Sequence, residues 1–209
     1  MGTEIRIRHV VSIAGVVRDK STSRPIAGAR VEITEGPPAF RALLAAKAAD
    51  PAWSRRRERL GRVYSRPDGV FCFVDLPAGP YRLKVGAPAM GTHYGAAEVG
   101  PYDVQMAPEE GPFPVARADV DLPSTRIHGI VTDAATKKPI PGARVRLLGD
   151  TVVVKTGDDG TYDLSQQLAG GPTLQVTAPH YRPEARKLEL AAGQERVEDL
   201  ALQSVSEAT

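Results

Sequence analysis

The sequence contains the same motif string twice, and this internal repeat constrains the fold more than any other feature. Residues 13–31 align with residues 127–145 without a gap, and matching turn and strand motifs follow both segments in the same order. Solenoid repeats are much shorter, at about 20–50 residues. The repeat therefore predicts two tandem domains, at residues 1–123 and 124–209.

Each copy has the pattern of short β-strands joined by tight turns. Apolar and polar residues alternate at Tyr81 to Val85 and at Val145 to Leu147, which places the apolar side chains on one face of a strand. The pairs Asp68-Gly69 and Asp159-Gly160 are strong hairpin signals, because glycine tolerates a positive φ. Twenty Gly and 18 Pro residues require frequent turns. We predict an all-β chain of two antiparallel β-sandwiches.

The repeated string has a family resemblance. Both copies read Gly-x-Val-x-Asp, Pro-Ile-x-Gly-Ala-x-Val, Asp-Gly-x-Phe/Tyr and Leu-x-Val-x-Ala-Pro. This string resembles the carboxypeptidase regulatory-like domain, whose fold is a transthyretin-like, Ig-like β-sandwich. The resemblance implies an accessory module that supports, spaces or binds partners. It does not define a function, because one fold serves many.

The first copy differs from the second by a basic insertion at about residues 37–66. Its Ala- and Leu-rich part predicts a helix over residues 39–49, and a second helix is predicted over residues 52–60. Arginine binds carboxylates bidentately, so the insertion favours an acidic protein surface as its partner. The predicted partner-binding residues are Arg55, Arg56, Arg57, Arg59, Arg62 and Trp53.

A second interpretation of the insertion remains open. It is a helical cover in which Phe40, Leu43, Leu44 and Trp53 pack on their own sandwich.

The sequence shows no catalytic, metal or cofactor motif. None of the histidines His9, His93, His128 and His180 has the spacing of a zinc site, and a single Cys72 forms neither an intramolecular disulfide nor a cysteine-based zinc site. We interpret Asp158-Asp159-Gly160 as a turn rather than a calcium loop. We therefore predict that the protein is not an enzyme and that it binds neither a metal nor a cofactor.

Partners and location follow from charge and from the N-terminal sequence. The net charge of +2 does not favour nucleic acid. The N-terminal residues lack the apolar core of a signal peptide and no run is long enough to span a membrane, so we expect a cytoplasmic protein. The insertion, together with residues 88–95, resembles accessory components of phage-tail-like contractile injection particles.

The sequence is therefore compatible with three functions. The first is a non-catalytic structural or adaptor protein that docks into a larger protein assembly, such as a phage-tail-like contractile injection particle. The alternative is a carbohydrate or cell-envelope binding module, which requires clustered exposed aromatic residues. The third is a hydrolase whose pocket gathers His93, His128 or His180 with carboxylates.

Overall fold

The computed structural model describes residues 9–49, 60–106 and 114–205. The chain divides into two compact units, Met1–Ala89 with Ala96–Leu122, and Met90–Gly95 with Pro123–Thr209. In these described ranges each unit has eight strands in two four-stranded sheets, which confirms the predicted pair of β-sandwiches. No helix in the described part of the chain is long and apolar enough to cross a membrane.

The described residues of the first unit form eight strands and one α-helix. In chain order these are β1 (Val11–Asp19), β2 (Arg30–Glu35), α1 (Pro38–Ala48), β3 (Arg62–Tyr64), β4 (Val70–Val74), β5 (Gly79–Gly86), β6 (Ala97–Val104), β7 (Ala116–Arg117) and β8 (Val120–Leu122). One sheet has the order β4-β1-β7, with β8 also paired to β1, and the other has the order β3-β2-β5-β6.

The second unit repeats this arrangement strand for strand. Its strands are β9 (Arg126–Asp133), β10 (Arg144–Leu147), β11 (Val153–Lys155), β12 (Thr161–Leu164), β13 (Thr173–Thr177), β14 (Glu184–Lys187), β15 (Glu195–Val197) and β16 (Leu200–Leu202). The sheets are β12-β9-β15, with β16 paired to β9, and β11-β10-β13-β14. In both units the last two strands run parallel to the first, and every other pairing is antiparallel.

The alternating residues of the strands fill the space between the two sheets of each unit. In the first unit, Ile13, Phe71 and Leu83 are almost completely buried. In the second unit, Ile127 and Leu174 are fully buried within a cluster of apolar residues that includes Tyr162. Period-two alternation therefore separates core from surface as predicted.

A glycine in the first strand of each unit lets the last two strands cross it closely. A Cβ atom on Gly129 would lie 2.2 Å from the carbonyl oxygen of Glu198, in the link between β15 and β16. The same atom on Gly15 would lie 1.9 Å from the carbonyl oxygen of Ala118, in the link between β7 and β8. No side chain fits at these distances, which explains the Gly of the Gly-x-Val-x-Asp motif.

A buried hydroxyl fixes the start of the second strand in each unit. Thr156 Oγ1 donates to the carbonyl oxygen of Ile140 at 2.6 Å and accepts from the amide of Ala143 at 2.9 Å. Ser65 Oγ makes the equivalent pair of hydrogen bonds in the first unit, at 2.6 and 2.9 Å. Buried backbone groups need such partners, because leaving them unpaired costs free energy.

Helix α1 is the described helical part of the insertion, and the helical insertion is confirmed. Phe40 is the buried residue of this helix and packs edge-on against Tyr81, with ring centroids 5.4 Å apart. Leu43 is half-buried and Leu44 is exposed, so the cover interpretation holds for Phe40 but not for Leu44. Trp53 and the second predicted helix lie outside the described residues.

The insertion, at about residues 37–66, ends in a strand. Residues 62–64 form β3, which pairs with β2 and extends its sheet. Backbone pairing with β2 provides these residues with hydrogen bonds that a helix would have to replace.

We expect Gly129→Ala to destabilise the protein by about 2–3 kcal/mol, because the added Cβ collides with backbone that has no room to move. Thermal unfolding followed by circular dichroism would show a fall in Tm of about 10 °C. Gly171→Ala is the matched control, since its nearest atoms lie 3.8 Å from the added Cβ. Equal stability of the two variants would contradict the close-crossing explanation.

We expect Thr156→Val to lower the free energy of unfolding by about 1–3 kcal/mol, because two buried backbone groups lose their partner. Thr156→Ser should retain most of the stability, since Ser65 makes the same bonds in the first unit. Urea denaturation of the two variants measures the difference. If Ser and Val were equally destabilising, the hydroxyl would not be the stabilising group.

Candidate partner-binding site

Arg62 is the one predicted partner-binding residue within the described part of the chain. Its Nη2 donates to Glu32 Oε1 at 2.7 Å, across the pairing of β2 and β3. The guanidinium is thus neutralised within its own sheet, and the hydrogen bond to Glu32 raises the pKa of Arg62. The other five predicted residues, Arg55, Arg56, Arg57, Arg59 and Trp53, lie outside the described residues, so their role stays a prediction.

An open pocket of about 680 Å³ lies among loops of the second unit. Its walls come from the β10–β11 loop, the β12–β13 loop and His93. Three large apolar side chains line it and are about half exposed, Leu148 at 48%, Val152 at 49% and Leu168 at 57%. We call this surface the loop-end pocket. It is a concave, largely apolar surface of the size that holds ligands or anchor side chains.

The loops of this pocket adopt backbone conformations that depend on particular residues. Gly149 and Gly170 have φ values of 90° and 141°, and Gln166 has a φ of 55°, which is uncommon outside glycine. Backbone hydrogen bonds hold the loop ends, from the Leu148 amide to Thr173 O at 2.8 Å and from the Gly170 amide to Leu190 O at 2.9 Å. The pocket walls are therefore tied to the sheet at both ends.

Residues 90–95, which belong to the second unit, support the β12–β13 loop. His93 Nδ1 lies 2.6 Å from the carbonyl oxygen of Gln166, and Gln166 Nε2 donates to the Tyr94 hydroxyl at 3.0 Å. Thr92 Oγ1 accepts from the amide of Ala169 at 2.9 Å. These side chains hold the backbone of the loop, so His93 has a structural role here.

The chemistry of the loop-end pocket suits binding rather than catalysis. Asp150 is its one acidic lining residue, and its Oδ1 accepts a hydrogen bond from the amide of Val152 at 3.1 Å. Catalysis needs a nucleophile or a general base in hydrogen-bond reach of a partner group. Besides apolar contact, backbone groups and this carboxylate, the lining offers His93, Ser165 and two glutamines. His93 Nδ1 contacts the Gln166 carbonyl oxygen at 2.6 Å, and Ser165 Oγ donates to Asp163 Oδ1 at 2.6 Å, so neither is paired with the other as a nucleophile and its base.

A second surface, on the outer face of β9, carries charges that pair with one another. Arg126 pairs with Asp163 and, at 2.9 Å, with Glu195. His128 Nε2 lies 3.0 Å from Glu195 Oε1, without hydrogen-bond alignment. Burial raises the pKa of Asp163, but hydrogen bonds from Arg126 and Ser165 outweigh it and lower the pKa overall. These charges neutralise one another, so this face offers little to an ionic ligand.

Glu198 is the most buried charged group of the second unit's ion pairs. Its carboxylate is 7% exposed and receives Arg186 Nη1 at 2.5 Å and Arg196 Nη2 at 3.1 Å. Burial raises the pKa of Glu198, but the two arginines more than compensate and hold it below its usual range. Its backbone oxygen also accepts from the Tyr162 hydroxyl at 2.6 Å. This carboxylate therefore stabilises the sandwich through its charged form.

The structure does not gather the histidines of the hydrolase alternative. His93 contacts a carbonyl in the loop-end pocket, His128 lies beside Glu195 on the outer face of β9, and His180 is exposed in the β13–β14 connection. Among the described residues, no group of three His, Cys, Asp or Glu side chains could hold a metal ion.

The aromatic cluster that a carbohydrate module would need is also not found in the described ranges. The described phenylalanines Phe40, Phe71 and Phe73 are buried, and Tyr64 is the large exposed aromatic side chain, at 58%. A single exposed ring is a weak platform for a sugar.

The loop-end pocket was not predicted from the sequence, although the sequence contains a signal for it. Leu148-Gly149-Asp150 and Leu168-Ala169-Gly170-Gly171 each join a leucine to glycines outside the alternating strand pattern. Such leucines have no place in a strand face, so their exposure could have been suspected. Their convergence in one pocket depends on the fold.

We expect Glu198→Gln to reduce the stability loss that the protein shows in acid. A carboxylate whose folded pKa is lowered adds stability above the unfolded value, near 4.3, and this stability disappears as the pH falls through the folded value. The Tm difference between about pH 7 and about pH 3 should therefore be smaller in the variant than in the wild type. Glu189→Gln, an exposed position, is the control, and an unchanged pH dependence in Glu198→Gln would disprove the assignment.

Comparison with solved structures finds several proteins of low sequence identity. The chain aligns with the shaft pilin spaA from Lactobacillus rhamnosus GG at 10% identity and a TM-score of 0.41, over 97% of this chain and 99% of the pilin. It aligns with the Bacillus anthracis TIE protein at 16% identity and a TM-score of 0.36, over 93% of this chain. A type II cohesin-X-dockerin complex from Acetivibrio cellulolyticus matches at 18% identity and a TM-score of 0.35, over 41% of this chain.

Two of these alignments cover only part of the matched chain's length. The chain spans 34% of the TIE protein and 62% of the matched chain from the cohesin-X-dockerin complex. No curated protein matches the chain. The structural matches show a likeness of fold and assign no function or partner to this protein.

One protein family matches both halves of the chain. The profile of the carboxypeptidase regulatory-like domain matches residues 12–107 and 126–203. These two segments contain the two copies of the repeat, including Gly15 and Gly129 at the strand crossings. With most of its length matched in two consecutive segments, the chain belongs to the carboxypeptidase regulatory-like domain family.

Proposed function

We propose that this protein is a non-catalytic structural or adaptor protein that docks into a larger protein assembly through the loop-end pocket. The observation that carries the proposal is the convergence of Leu148, Val152 and Leu168, each about half exposed, around one concavity. Large apolar side chains that cluster on a surface mark interaction sites, whereas single exposed ones are common. Family membership supports this role, because the family's domain is an accessory module.

The proposed occupant is a segment of a partner protein that inserts an apolar side chain between the three rim residues. Anchor side chains in desolvated pockets dominate the energy of protein interfaces. Asp150 at the edge of the pocket favours a lysine or arginine next to that anchor. The partner segment is therefore expected to pair one apolar residue with one basic residue.

The basic insertion adds a second, separate contact to this proposal. Arg55, Arg56, Arg57 and Arg59 would bind an acidic surface of the assembly, together with Trp53. The resemblance to components of phage-tail-like contractile injection particles makes such a particle the specific assembly that we propose. Assembly of the particle before its release would place the protein in the cytoplasm.

The experiment is an affinity purification from the source organism followed by mass spectrometry and by binding with the purified partner. The variants are Leu148→Asp with Leu168→Asp, and charge reversal of Arg55, Arg56, Arg57 and Arg59 to Glu. Val197→Asp, on a different face and 60% exposed, is the matched control for the first variant. Circular dichroism confirms that each variant is folded.

We expect wild type and Val197→Asp to recover the same assembly components, and the loop-end variant to bind the purified partner at least about tenfold more weakly. The charge-reversed variant should bind the partner more weakly than wild type. Wild-type binding should also fall as salt is added, because salt screens exposed charges. Recovery of no partner by wild type, or equal binding by all variants, would overturn the proposal. Binding to glycans on an array instead would favour the carbohydrate alternative.

A further inference from the structure

The sheet edge formed by β4 has a sequence that differs from every other edge. Its residues are Val70-Phe71-Cys72-Phe73-Val74, with neither charge nor proline. We propose that a second copy of this chain pairs with this edge, β4 against β4 in antiparallel orientation, and joins two first-unit sheets into one. This inference is independent of the loop-end pocket.

Within the described part of the chain β4 pairs with β1 alone, with Phe71 opposite Gly15 and Phe73 opposite Ile13. Its outer edge is open at Cys72 and Val74, whereas the Val70 carbonyl oxygen accepts from the Arg66 amide at 2.8 Å and the Val70 amide donates to Asp68 Oδ1 at 3.0 Å. The Val17 amide donates to Gly69 O at 2.9 Å, so the backbone groups of Gly69, Phe71 and Phe73 face β1. The backbone groups of Cys72 and Val74 consequently face outward, where a partner strand would bond to them.

The other edges carry the features that prevent strand pairing. Counting β7 with β8 and β15 with β16, each remaining edge contains a charged residue. Examples are Arg62 in β3, Glu98 in β6, Lys155 in β11 and Glu184 in β14. Charges and prolines on edges are the usual protection against pairing with other chains. The β4 edge has none of this protection.

The equivalent strand of the second unit shows that the fold accepts such protection. At the positions of Val70, Cys72 and Val74, strand β12 and its next residue carry Thr161, Asp163 and Ser165. Asp163 pairs with Arg126 on the neighbouring strand. Polar residues therefore fit these three outward positions, and their replacement by Val, Cys and Val makes the first unit's edge apolar.

The order of residues in β4 specifies a second copy rather than another protein. The strand reads the same in both directions around Cys72, so a twofold axis there places Val70 opposite Val74 of the second copy. Identical surfaces related by a twofold axis are the usual basis of homodimers. Phenylalanines face the core of each sandwich, and the outward valines meet valines.

The expected dimer is weak. A pairing of two five-residue edges buries less than the roughly 1,000 Å² that stable complexes need. We expect a Kd between about ten micromolar and about one millimolar. Such an edge would hold copies together mainly where an assembly concentrates them.

The test is sedimentation velocity of the full chain under reducing conditions, from about ten micromolar to about one millimolar. Wild type should show an average mass that rises toward the dimer, while Val74→Lys should remain a monomer. Val153→Lys, an exposed valine on the β11 edge, should behave as wild type. Cys72→Asp, which copies Asp163 of the second unit, provides a second disrupting variant.

A short bismaleimide adds a readout that reports the contact itself. Paired residues of this kind have Cα atoms about 5.5 Å apart, so the single cysteine of each chain would be linked to its counterpart. We expect linked dimer in wild type and Val153→Lys but at least about tenfold less in Val74→Lys. A wild type that stays monomeric throughout, or a Val74→Lys variant that dimerises and crosslinks as wild type does, would overturn the proposal.

Discussion

The close crossing of backbone at Gly15 and Gly129 is the constraint on which the rest of each sandwich depends. The first strand pairs with the fourth on one side and with the last two on the other, so it lies in the middle of its sheet. The link between the last two strands passes over the glycine, where a carbonyl oxygen occupies the space of a side chain. The parallel pairing of β7 and β8 with β1 is possible only because Gly15 has no side chain to fill that space.

The alternation of apolar residues predicted the sandwich class, the internal repeat predicted the tandem arrangement, and the Asp-Gly pairs predicted the turns. Asp159 illustrates why such turns are readable from sequence, because its carboxylate accepts from Thr161 two residues later. The parallel pairing of β15 and β16 with β9 was not predicted, since it joins residues far apart in the chain and leaves no local pattern. The glycine of the motif could be recognised in the sequence. The reason for it is the carbonyl oxygen of Glu198, and no spacing in the sequence shows that Glu198 lies against Gly129.

The candidate site also combines features that the sequence predicts with features that depend on the fold. Charge in the insertion can be counted from the sequence, whereas the pairing of Arg62 with Glu32 depends on the register of β2 and β3. The loop-end pocket is built from residues of three chain segments, and each segment alone reads as an ordinary loop. Whether a leucine such as Leu168 is covered or exposed is a tertiary property.

The hydrogen bonds of Ser65 and Thr156 have a consequence for how the two copies diverge in length. Each hydroxyl fastens the end of the third strand to the start of the second, at the open end of that strand pair, opposite the connecting loop. The loop can then grow at little entropic cost, because closure entropy rises only with the logarithm of length. The β2–β3 and β10–β11 connections can therefore differ greatly in length while the same strand pairing is kept in both units.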